Sequence, residues 1–320
     1  MKKIYMLLIL SLLSIGLIAC GTGDVNNDNS NVNQGEKSAD QGDIIKITHE
    51  LGESSVQKNP EKIIVFDFGA LDTLDKLGIE VTGVPQGNIP AYLDKYSSND
   101  YENVGSLKEP DFEKIAEIDP DLIIISGRQS TLYDQLEELG PTVYIGIDTT
   151  RYMDSFKENL NIIGEIFDKT AEIEEEINTI EQSIETLQEK ASKQNKKGLI
   201  ILANDNKISA YGPNSRFGII HDVFGIPAVD ENIEASTHGQ NVSFEYIRET
   251  DPDLLYVIDR TAAVGGETSA ESLVENKLSE STKAYQNDQI YYLNPDYWYL
   301  SGGGLASVVA MIDEIAASLE

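Results

Sequence analysis

Two arginines end two copies of one segment, and their side chains are suited to binding an anion. The first copy runs from Phe112 to Arg128, and the second runs from Phe244 to Arg260, 132 residues further along the chain. A guanidinium group is planar and permanently charged, so it bonds oxygen anions through a two-pronged fork and stacks on aromatic rings. Two arginines at matched positions therefore indicate one shared site for an anionic ligand.

The two copies agree, without a gap, at Phe, Glu, Ile, Glu, Asp, Pro, Asp, Leu and the final Arg. An agreement of this length is improbable by chance, so we infer two similar lobes. Proline cannot continue a helix, so each Asp-Pro-Asp ends a helix and leads into a strand. Ligands of open α/β sheets bind at the carboxyl ends of the strands, which is where Arg128 and Arg260 stand. If the lobes face each other, the two guanidinium groups converge on one cleft.

Two further cations are candidates for the same cleft. Arg216 follows a predicted strand and stands at the predicted start of a helix, a position that favours anions. Lys108 precedes the first repeat and could reach the same place, although a solvated lysine is an equal alternative. For each arginine the alternative is a local ion pair, because the chain is rich in acids.

Three adjacent aromatic residues, Tyr297, Trp298 and Tyr299, precede three glycines near the end of the chain. Aromatic rings in a loop offer flat surfaces for an aromatic ligand or a cation. The alternative is that two of the three rings pack in the core. We expect either Tyr297 or Trp298 to face the cleft.

A long helical pattern separates the two repeats. Within 151–196, most apolar residues recur at steps of three or four, which is the period of a helix, and no proline interrupts them. An unbroken helix of ~40 residues would be ~60 Å long, more than the width of a small domain. It therefore predicts a rigid strut between two bodies, with a coiled coil or a break into two helices as the alternatives.

Strands and helices alternate on both sides of this segment. The predicted fold is therefore α/β, with an N-terminal lobe at 44–150, the connecting helix at 151–196 and a C-terminal lobe at 197–320. Each lobe is expected to contain a mainly parallel sheet flanked by helices.

The composition excludes some partners. The 320 residues include 24 Lys and Arg against 55 Asp and Glu, a formal net charge of −31. Such a charge argues against nucleic acid or an anionic bilayer as a partner for a broad surface, although it says nothing about a local basic pocket. The single cysteine, Cys20, rules out a disulfide framework within the chain.

The start of the chain has the pattern of an export signal. Two lysines precede the apolar run Leu7–Ile18, so 1–19 is predicted to be a signal peptide. Leu17–Cys20 matches a bacterial lipobox, which implies cleavage before Cys20 and acylation, including palmitate, at this residue. The alternative is an ordinary signal peptide with a chance cysteine. The polar segment that follows makes 20–43 a lipidated, flexible tether.

These features together resemble the substrate-binding lipoproteins of ABC importers for ferric siderophores, haem and cobalamin. The resemblance covers about 46–319, and it rests on the lipobox, the tether, the long helix, the paired repeats and the late Trp298–Gly303 loop. Within that family, the set of Lys108, Arg128, Arg216 and Arg260 resembles binders of anionic catecholate siderophores, as in the petrobactin-type binders of Gram-positive bacteria.

The resemblance implies two small lobes with a shallow cleft and little closure. It implies capture of a ferric siderophore on the outer face of the cytoplasmic membrane, by a lipid-anchored and monomeric protein. Glu113 and Glu245 would lie on the tips of the lobes and contact arginines of the permease, which is coupled to its ATPase. The iron would stay inside the siderophore, so neither protein ligands to the metal nor a cofactor are expected.

The sequence gives less support to other functions. A haem or direct metal-ion binder of the same architecture would use histidine, tyrosine or carboxylate ligands, but His49, His221 and His238 show no metal-site spacing. An enzyme is disfavoured, because no Gly-x-Ser-x-Gly, His-Glu-x-x-His or phosphate-loop motif occurs. A purely structural or adhesive lipoprotein would leave the matched arginines unexplained.

Overall fold

The computed structural model describes residues 43–266 and 268–320, all of which fall within one compact unit. The predicted signal peptide, Cys20 and the tether up to residue 42 lie outside the described residues. Every helix in the described part is too short or too polar to cross a membrane.

The N-terminal lobe contains a two-stranded antiparallel hairpin and a five-stranded sheet in which every neighbouring pair is parallel. Its strands are β1 (Ile44–His49), β2 (Gly52–Gln57), β3 (Ile63–Val65), β4 (Gly83–Val84), β5 (Glu102–Asn103), β6 (Leu122–Ile125) and β7 (Thr142–Tyr144). Its helices are α1 (Phe68–Lys76), α2 (Phe112–Ile118), α3 (Tyr133–Glu137) and α4 (Tyr152–Ile166), with 3₁₀ helices at Ala91–Ser97, Ser130–Leu132 and Thr149–Arg151.

The parallel sheet has the strand order β5-β4-β3-β6-β7. Its central strands β3 and β6 are wholly apolar and buried on both faces, as parallel strands covered by helices must be. The predicted parallel sheet of this lobe is confirmed, whereas the hairpin of β1 with β2 was not predicted.

The segment predicted as one helix at 151–196 is two helices, α4 and α5 (Thr170–Gln194). Asp168 lies between them with φ of 52°, a left-handed conformation that a helix cannot contain. Lys157 Nζ lies 2.9 Å from a carboxylate oxygen of Glu181, whereas a straight helix would separate these residues by ~36 Å. The two helices therefore pack side by side, and only α5, ~37 Å long, is the long helix between the lobes.

The break has a local cause that the apolar period hides. A side chain at Gly164 would meet the Cα of Thr170 at 3.2 Å, so this glycine lets the two helices approach closely. The carboxylate of Asp168 is held by Lys58 Nζ at 2.6 Å and by Asn59 Nδ2 at 2.8 Å. The apolar stripe continues on both sides of the turn, because both helices face the same core.

The C-terminal lobe contains a second five-stranded sheet. Its strands are β8 (Gly198–Asn204), β9 (Lys207–Tyr211), β10 (Gln240–Val242), β11 (Leu254–Asp259) and β12 (Ile290–Leu293). Its helices are α6 (Ile219–Asp222), α7 (Phe244–Thr250), α8 (Arg260–Val264), α9 (Ala270–Val274), α10 (Lys283–Gln286) and α11 (Leu305–Ala317), with a 3₁₀ helix at Ser279–Ser281 and a π-helical turn at Asp296–Ser301.

The strand order of this second sheet is β10-β9-β8-β11-β12. Strands β8, β11 and β12 are parallel, whereas β9 runs antiparallel to both of its neighbours. The sheet is therefore mixed rather than mainly parallel, because a two-residue turn at Asp205 joins β8 directly to β9. Asp205 adopts φ of 52°, as such tight hairpins require.

The sequence repeat has a structural basis. The equivalent helices α2 and α7 both end at an aspartate in the left-handed conformation, Asp119 with φ of 55° and Asp251 with φ of 45°. The second aspartate of each repeat accepts a backbone N–H from the residue before a neighbouring strand. Asp121 accepts the N–H before β3 at 2.8 Å, and Asp253 accepts the N–H before β8 at 2.9 Å. Each Asp-Pro-Asp thus ends a helix and fixes the start of the neighbouring strand.

The last helix, α11, packs on both α1 and α5, so it ties the end of the chain to the N-terminal lobe. Asp72 of α1 is buried and accepts the backbone N–H groups of Ala306 and Ser307, both at 3.1 Å. Tyr92 also donates its hydroxyl to Asp72, at 3.0 Å. Burial raises the pKa of Asp72 to about 6, although these hydrogen bonds oppose the shift.

The raised pKa of Asp72 predicts a pH dependence of stability. The folded protein holds a proton on Asp72 below about pH 6, whereas the unfolded chain holds it only below the ordinary value of 3.8. Folding is therefore favoured more as the pH falls from 7 to 4. We expect the free energy of unfolding of the wild type, measured with urea, to rise by ~2–3 kcal/mol relative to Asp72→Asn over this range. A difference between the two proteins that does not change with pH would contradict this.

Candidate functional site

Two arginines from different lobes meet on one carbonyl oxygen. Arg128, just after β6, donates from Nη2 to the backbone oxygen of Tyr299 at 2.8 Å, and Arg216 donates from Nη2 to the same oxygen at 2.7 Å. Tyr299 belongs to the π-helical turn Asp296–Ser301. This turn therefore lies between the lobes, and its Tyr299 carbonyl accepts one guanidinium group from each.

The third arginine binds the side chain of the same tyrosine. Arg260, the first residue of α8, donates from Nε to the Tyr299 hydroxyl at 2.8 Å and from Nη1 to Asn204 Oδ1 at 2.6 Å. The guanidinium of Arg216 lies over the Tyr299 ring, with 4.4 Å between Cζ and the ring centroid. The structure thus brings together the three arginines that the sequence selected, and their contact with a ligand stays a prediction.

The electrostatics of this cluster favour negative charge. Burial lowers the pKa of Arg216, and the nearby charge of Arg128 lowers it further. Burial would raise the pKa of the Tyr299 phenol, but the hydrogen bond from Arg260 and the charges of the three arginines outweigh burial and lower this pKa. An anion that entered here would relieve the repulsion between the arginines.

The alternative of local ion pairs does not describe these arginines. Within the described ranges, the one arginine that forms an ion pair is Arg151, with Asp148 and Glu158. The three arginines of the cleft are instead held by a carbonyl, a phenol and an amide, all of which are uncharged partners. They therefore keep their positive charge available to a ligand.

A cavity of about 210 Å³ lies beside this cluster, on the side of the C-terminal lobe. Its cations are Arg216, Arg260 and Lys207, and its other polar residues are Asn204, Ser209, Thr237, His238 and Asn241. No aspartate or glutamate of the described residues lines it, although the whole chain has 55 of them. The cavity is thus electropositive, although the protein as a whole carries a large negative charge.

Lys108 lies near Arg128 but does not line this cavity. The side chain of Lys108 is exposed, in a loop whose Leu107 carbonyl accepts a hydrogen bond from Gln129, the neighbour of Arg128. Lys108 is therefore on the N-terminal side of the cleft. Its role in binding stays a prediction.

The structure contradicts the expected cleft contact for Trp298, whereas for Tyr297 this contact stays a prediction. The Trp298 side chain is 2% exposed and donates from Nε1 to Glu314 at 2.6 Å, so it is a core residue. Tyr297 packs on Tyr92, with 4.8 Å between the ring centroids. Neither lines the cavity, whereas Tyr299 does. Three successive residues of a helical turn point in different directions, and only the tertiary contact with Glu314 decides which ring faces inward.

The sequence reasoning missed the wall of the cavity. Lys207 and Ser209 alternate along β9 with the buried Ile208 and Ala210, a pattern that indicates one polar and one apolar face. The sequence presents His238 only as a possible metal ligand, whereas the structure places it in the wall of the cavity. No group of three or more His, Cys, Asp or Glu within the described residues could hold a metal ion.

Glu113 and Glu245 occupy equivalent places. Each is the second residue of its helix, α2 or α7, and each side chain is exposed. Neither forms an ion pair with the described part of the chain, and Lys114, the neighbour of Glu113, pairs with Glu102 and Glu117 instead.

Comparison with known proteins identifies the family. The sequence profile of the family described as periplasmic binding protein matches residues 63–297. The chain belongs to this family. It is 48% identical to the petrobactin-binding protein YclQ of Bacillus subtilis over the full length of both chains. It is also 32% identical to the ferric-anguibactin-binding protein FatB of Vibrio anguillarum, over 85% of this chain and 86% of that one.

Solved structures have the same architecture. The crystal structure of YclQ matches with a TM-score of 0.86 and 51% identity, over 87% of this chain and 99% of that one. The periplasmic catecholate-siderophore binding protein VctP of Vibrio cholerae matches with a TM-score of 0.82 and 32% identity, over 86% of this chain and 100% of that one. The predicted α/β fold of two lobes joined by a long helix is confirmed, and so is a binding protein rather than an enzyme. The lobe bounds 44–150 and 197–320 stay a prediction.

The lowered pKa of Tyr299 can be measured directly. In an ultraviolet titration, we expect Tyr299→Phe to remove phenolate absorbance from the part of the curve below the ordinary tyrosine pKa of 10.0. The control is Tyr297→Phe, because burial raises the pKa of Tyr297, and its signal should be lost only from the more alkaline part. Identical difference curves for the two variants would refute the electrostatic description of the cluster.

Proposed function

We propose that this protein is an extracellular lipoprotein that captures an anionic ferric siderophore, of the catecholate and petrobactin-like type, in its cleft. It then delivers the complex to an ABC permease for iron uptake. One observation carries the proposal. Arg128, Arg216 and Arg260 come from both lobes, meet around Tyr299 and are partnered only by uncharged groups.

The relatives support this class of ligand. YclQ, which matches the whole chain, is named for petrobactin, and VctP is named for catecholate siderophores. The sequence features that suggested an anionic chelate are independent of these names, because they rest on arginines at matched ends of strands.

The chemistry of the cluster suits a ferric catecholate. Such a complex carries several negative charges on oxygens surrounded by aromatic rings. Arginine both donates to these oxygens and stacks on the rings, and each charge-assisted hydrogen bond contributes roughly 1.5–3 kcal/mol. Because the arginines are already held by Tyr299 and Asn204, little side-chain entropy remains to be lost on binding.

The protein has two contacts at the membrane, one through its lipid anchor and one with the permease. Acylation of Cys20 anchors the protein, as a monomer, at the outer face of the cytoplasmic membrane. The exposed and equivalent Glu113 and Glu245 contact the permease, one from each lobe. The iron arrives inside the chelator, so the protein needs neither metal ligands nor a cofactor.

The haem or direct metal-ion alternative has less support. A bare metal ion needs a cluster of ligands, and the described residues contain none. Haem could use Tyr299 or His238, both of which line the cavity, so it belongs in any binding test.

The proposal is tested by titrating the full-length protein, in detergent, with ferric and iron-free catecholate and hydroxamate siderophores and with haem. Trp298 is the single tryptophan and adjoins Tyr299, so its fluorescence reports on the cleft. Saturable quenching by ferric catecholates alone would support the proposal. Quenching by haem alone would favour the alternative.

The arginines give the sharpest mutational test. We expect the double variant Arg128→Ala with Arg260→Ala to bind ferric catecholates at least ~100-fold more weakly, because two charge-assisted contacts are lost. The matched control is Arg151→Ala with Arg248→Ala, which removes the same charge away from the cavity. Equal affinities for the two double variants would show that only net charge matters, and unchanged affinity of the first would end the assignment of the cleft.

The two glutamates should act in transport and not in binding. We expect Glu113→Ala with Glu245→Ala to bind the ferric siderophore normally and to abolish uptake of labelled iron by cells. The control is Glu117→Ala with Glu249→Ala, which changes another matched pair of exposed acids on the same two helices, α2 and α7. Normal uptake by the first variant, or equal loss in both, would refute a specific contact with the permease.

A further inference from the structure

One wall of the cavity is a polar face of the second sheet, and the arginine cluster does not use it. Lys207 and Ser209 line the cavity, while Ile208 and Ala210 between them pack into the core on the opposite face of β9. Successive residues of a strand point to opposite faces, so this assignment is fixed by the pleat.

The neighbouring strands extend this face. Ser209 of β9 pairs with Asn241 of β10 on one side and with Leu202 of β8 on the other, and both of these residues also line the cavity. Lys207 pairs with Asn204, so the lysine lies one strand away from the amide that holds Arg260. The wall therefore presents an ammonium, a hydroxyl and an amide in one patch beside the arginines.

The patch has a fixed position relative to the arginine cluster. The turn between β8 and β9 is tied to α8 by a hydrogen bond from the backbone N–H of Asp205 to Thr261 Oγ1 at 2.8 Å. Arg260 begins the same helix and is tied to Asn204 at 2.6 Å. Because two bonds join the hairpin to α8, the backbone at Lys207 keeps a fixed position relative to Arg260, and the flexible lysine side chain extends from that point.

Lys207 is a cation without a charged partner in the described part of the chain, where most lysines do form ion pairs. The patch also differs in chemistry from the arginine cluster. Tyr299 and the guanidinium planes suit aromatic rings, whereas the one aromatic residue on the β9 face, Tyr211, is only 1% exposed. Donors without an exposed ring suit a small oxyanion.

We propose that Lys207, Ser209 and Asn241 form a second subsite of the cleft, which binds a carboxylate on the linker of the siderophore. The arginines hold the catecholate oxygens, and this subsite selects chelators whose backbone carries an additional anionic oxygen group. The inference rests on the proposed function, because it concerns a second part of the same ligand.

The test uses two synthetic ferric tris-catecholamide complexes that differ in one group, because three catecholates fill the six positions of the iron and leave a linker group uncoordinated. The linker of the first carries a free carboxylate, and the linker of the second carries the methyl ester. Full-length protein in detergent is titrated with each complex, and Trp298 fluorescence is followed. We expect the wild type to prefer the carboxylate complex, and we expect Lys207→Met to weaken this complex about tenfold, or about 1.4 kcal/mol, with little effect on the ester.

Two companion variants complete the test. Asn241→Ala should reduce the same preference, because it removes a second donor of the patch. The control is Lys193→Met on α5, which removes the same charge from a side chain that is 75% exposed and lies outside the cavity wall. It should leave both affinities unchanged.

The outcomes separate the two hypotheses. Selective loss of the carboxylate complex in Lys207→Met, but not in Lys193→Met, supports the subsite. Equal weakening of both complexes by Lys207→Met would mean that Lys207 attracts anions in general, and this would overturn the subsite. If the wild type binds both complexes and Lys207→Met changes neither affinity, the subsite is overturned as well. Failure of the wild type to bind either complex would overturn the proposed function itself.

Discussion

The cleft depends on a carbonyl oxygen, that of Tyr299, which holds Arg128 and Arg216 against their mutual repulsion. Two half-buried guanidinium groups would ordinarily be neutralised by carboxylates, and this chain has a large excess of those. A carbonyl satisfies the hydrogen bonds without cancelling the charge. The positive charge therefore remains to be neutralised by a ligand, which turns an electrostatic cost of the empty protein into affinity for an anion.

The position of that carbonyl is set far from the cleft. The turn that contains Tyr299 is attached to α11 through Trp298, whose indole N–H donates to Glu314. The N-terminus of α11 is in turn bound by the buried Asp72 on α1 of the N-terminal lobe. The end of the chain thus joins both lobes, and the shared carbonyl is linked to each of them by hydrogen bonds. This continuity explains how arginines more than eighty residues apart in the sequence reach one atom.

The sequence predicted the parts of the site that depend on local structure. Arg128 and Arg260 were identifiable because each repeat ends its helix and fixes the neighbouring strand with consecutive residues, such as Asp119 to Asp121. The sequence offers the break at Asp168 only as an alternative, because a helical period continues through a turn when both helices face one core. The choice of Tyr299 over Trp298 could not be predicted, because it is made by a carboxylate on another helix. The mixed order of the second sheet likewise depends on one tight turn at Asp205.

The strongly negative net charge does not contradict a site for anions. Exposed charges are screened over ~8 Å at physiological ionic strength, so the acids of the outer surface act mainly on the rate at which a ligand arrives. Within the cavity the nearest charges are cations, because no described acid lines it. There the lower effective dielectric strengthens their attraction several-fold over its value in water. Local charge therefore decides affinity, whereas the global charge keeps weakly anionic solutes and polyanions away from the protein.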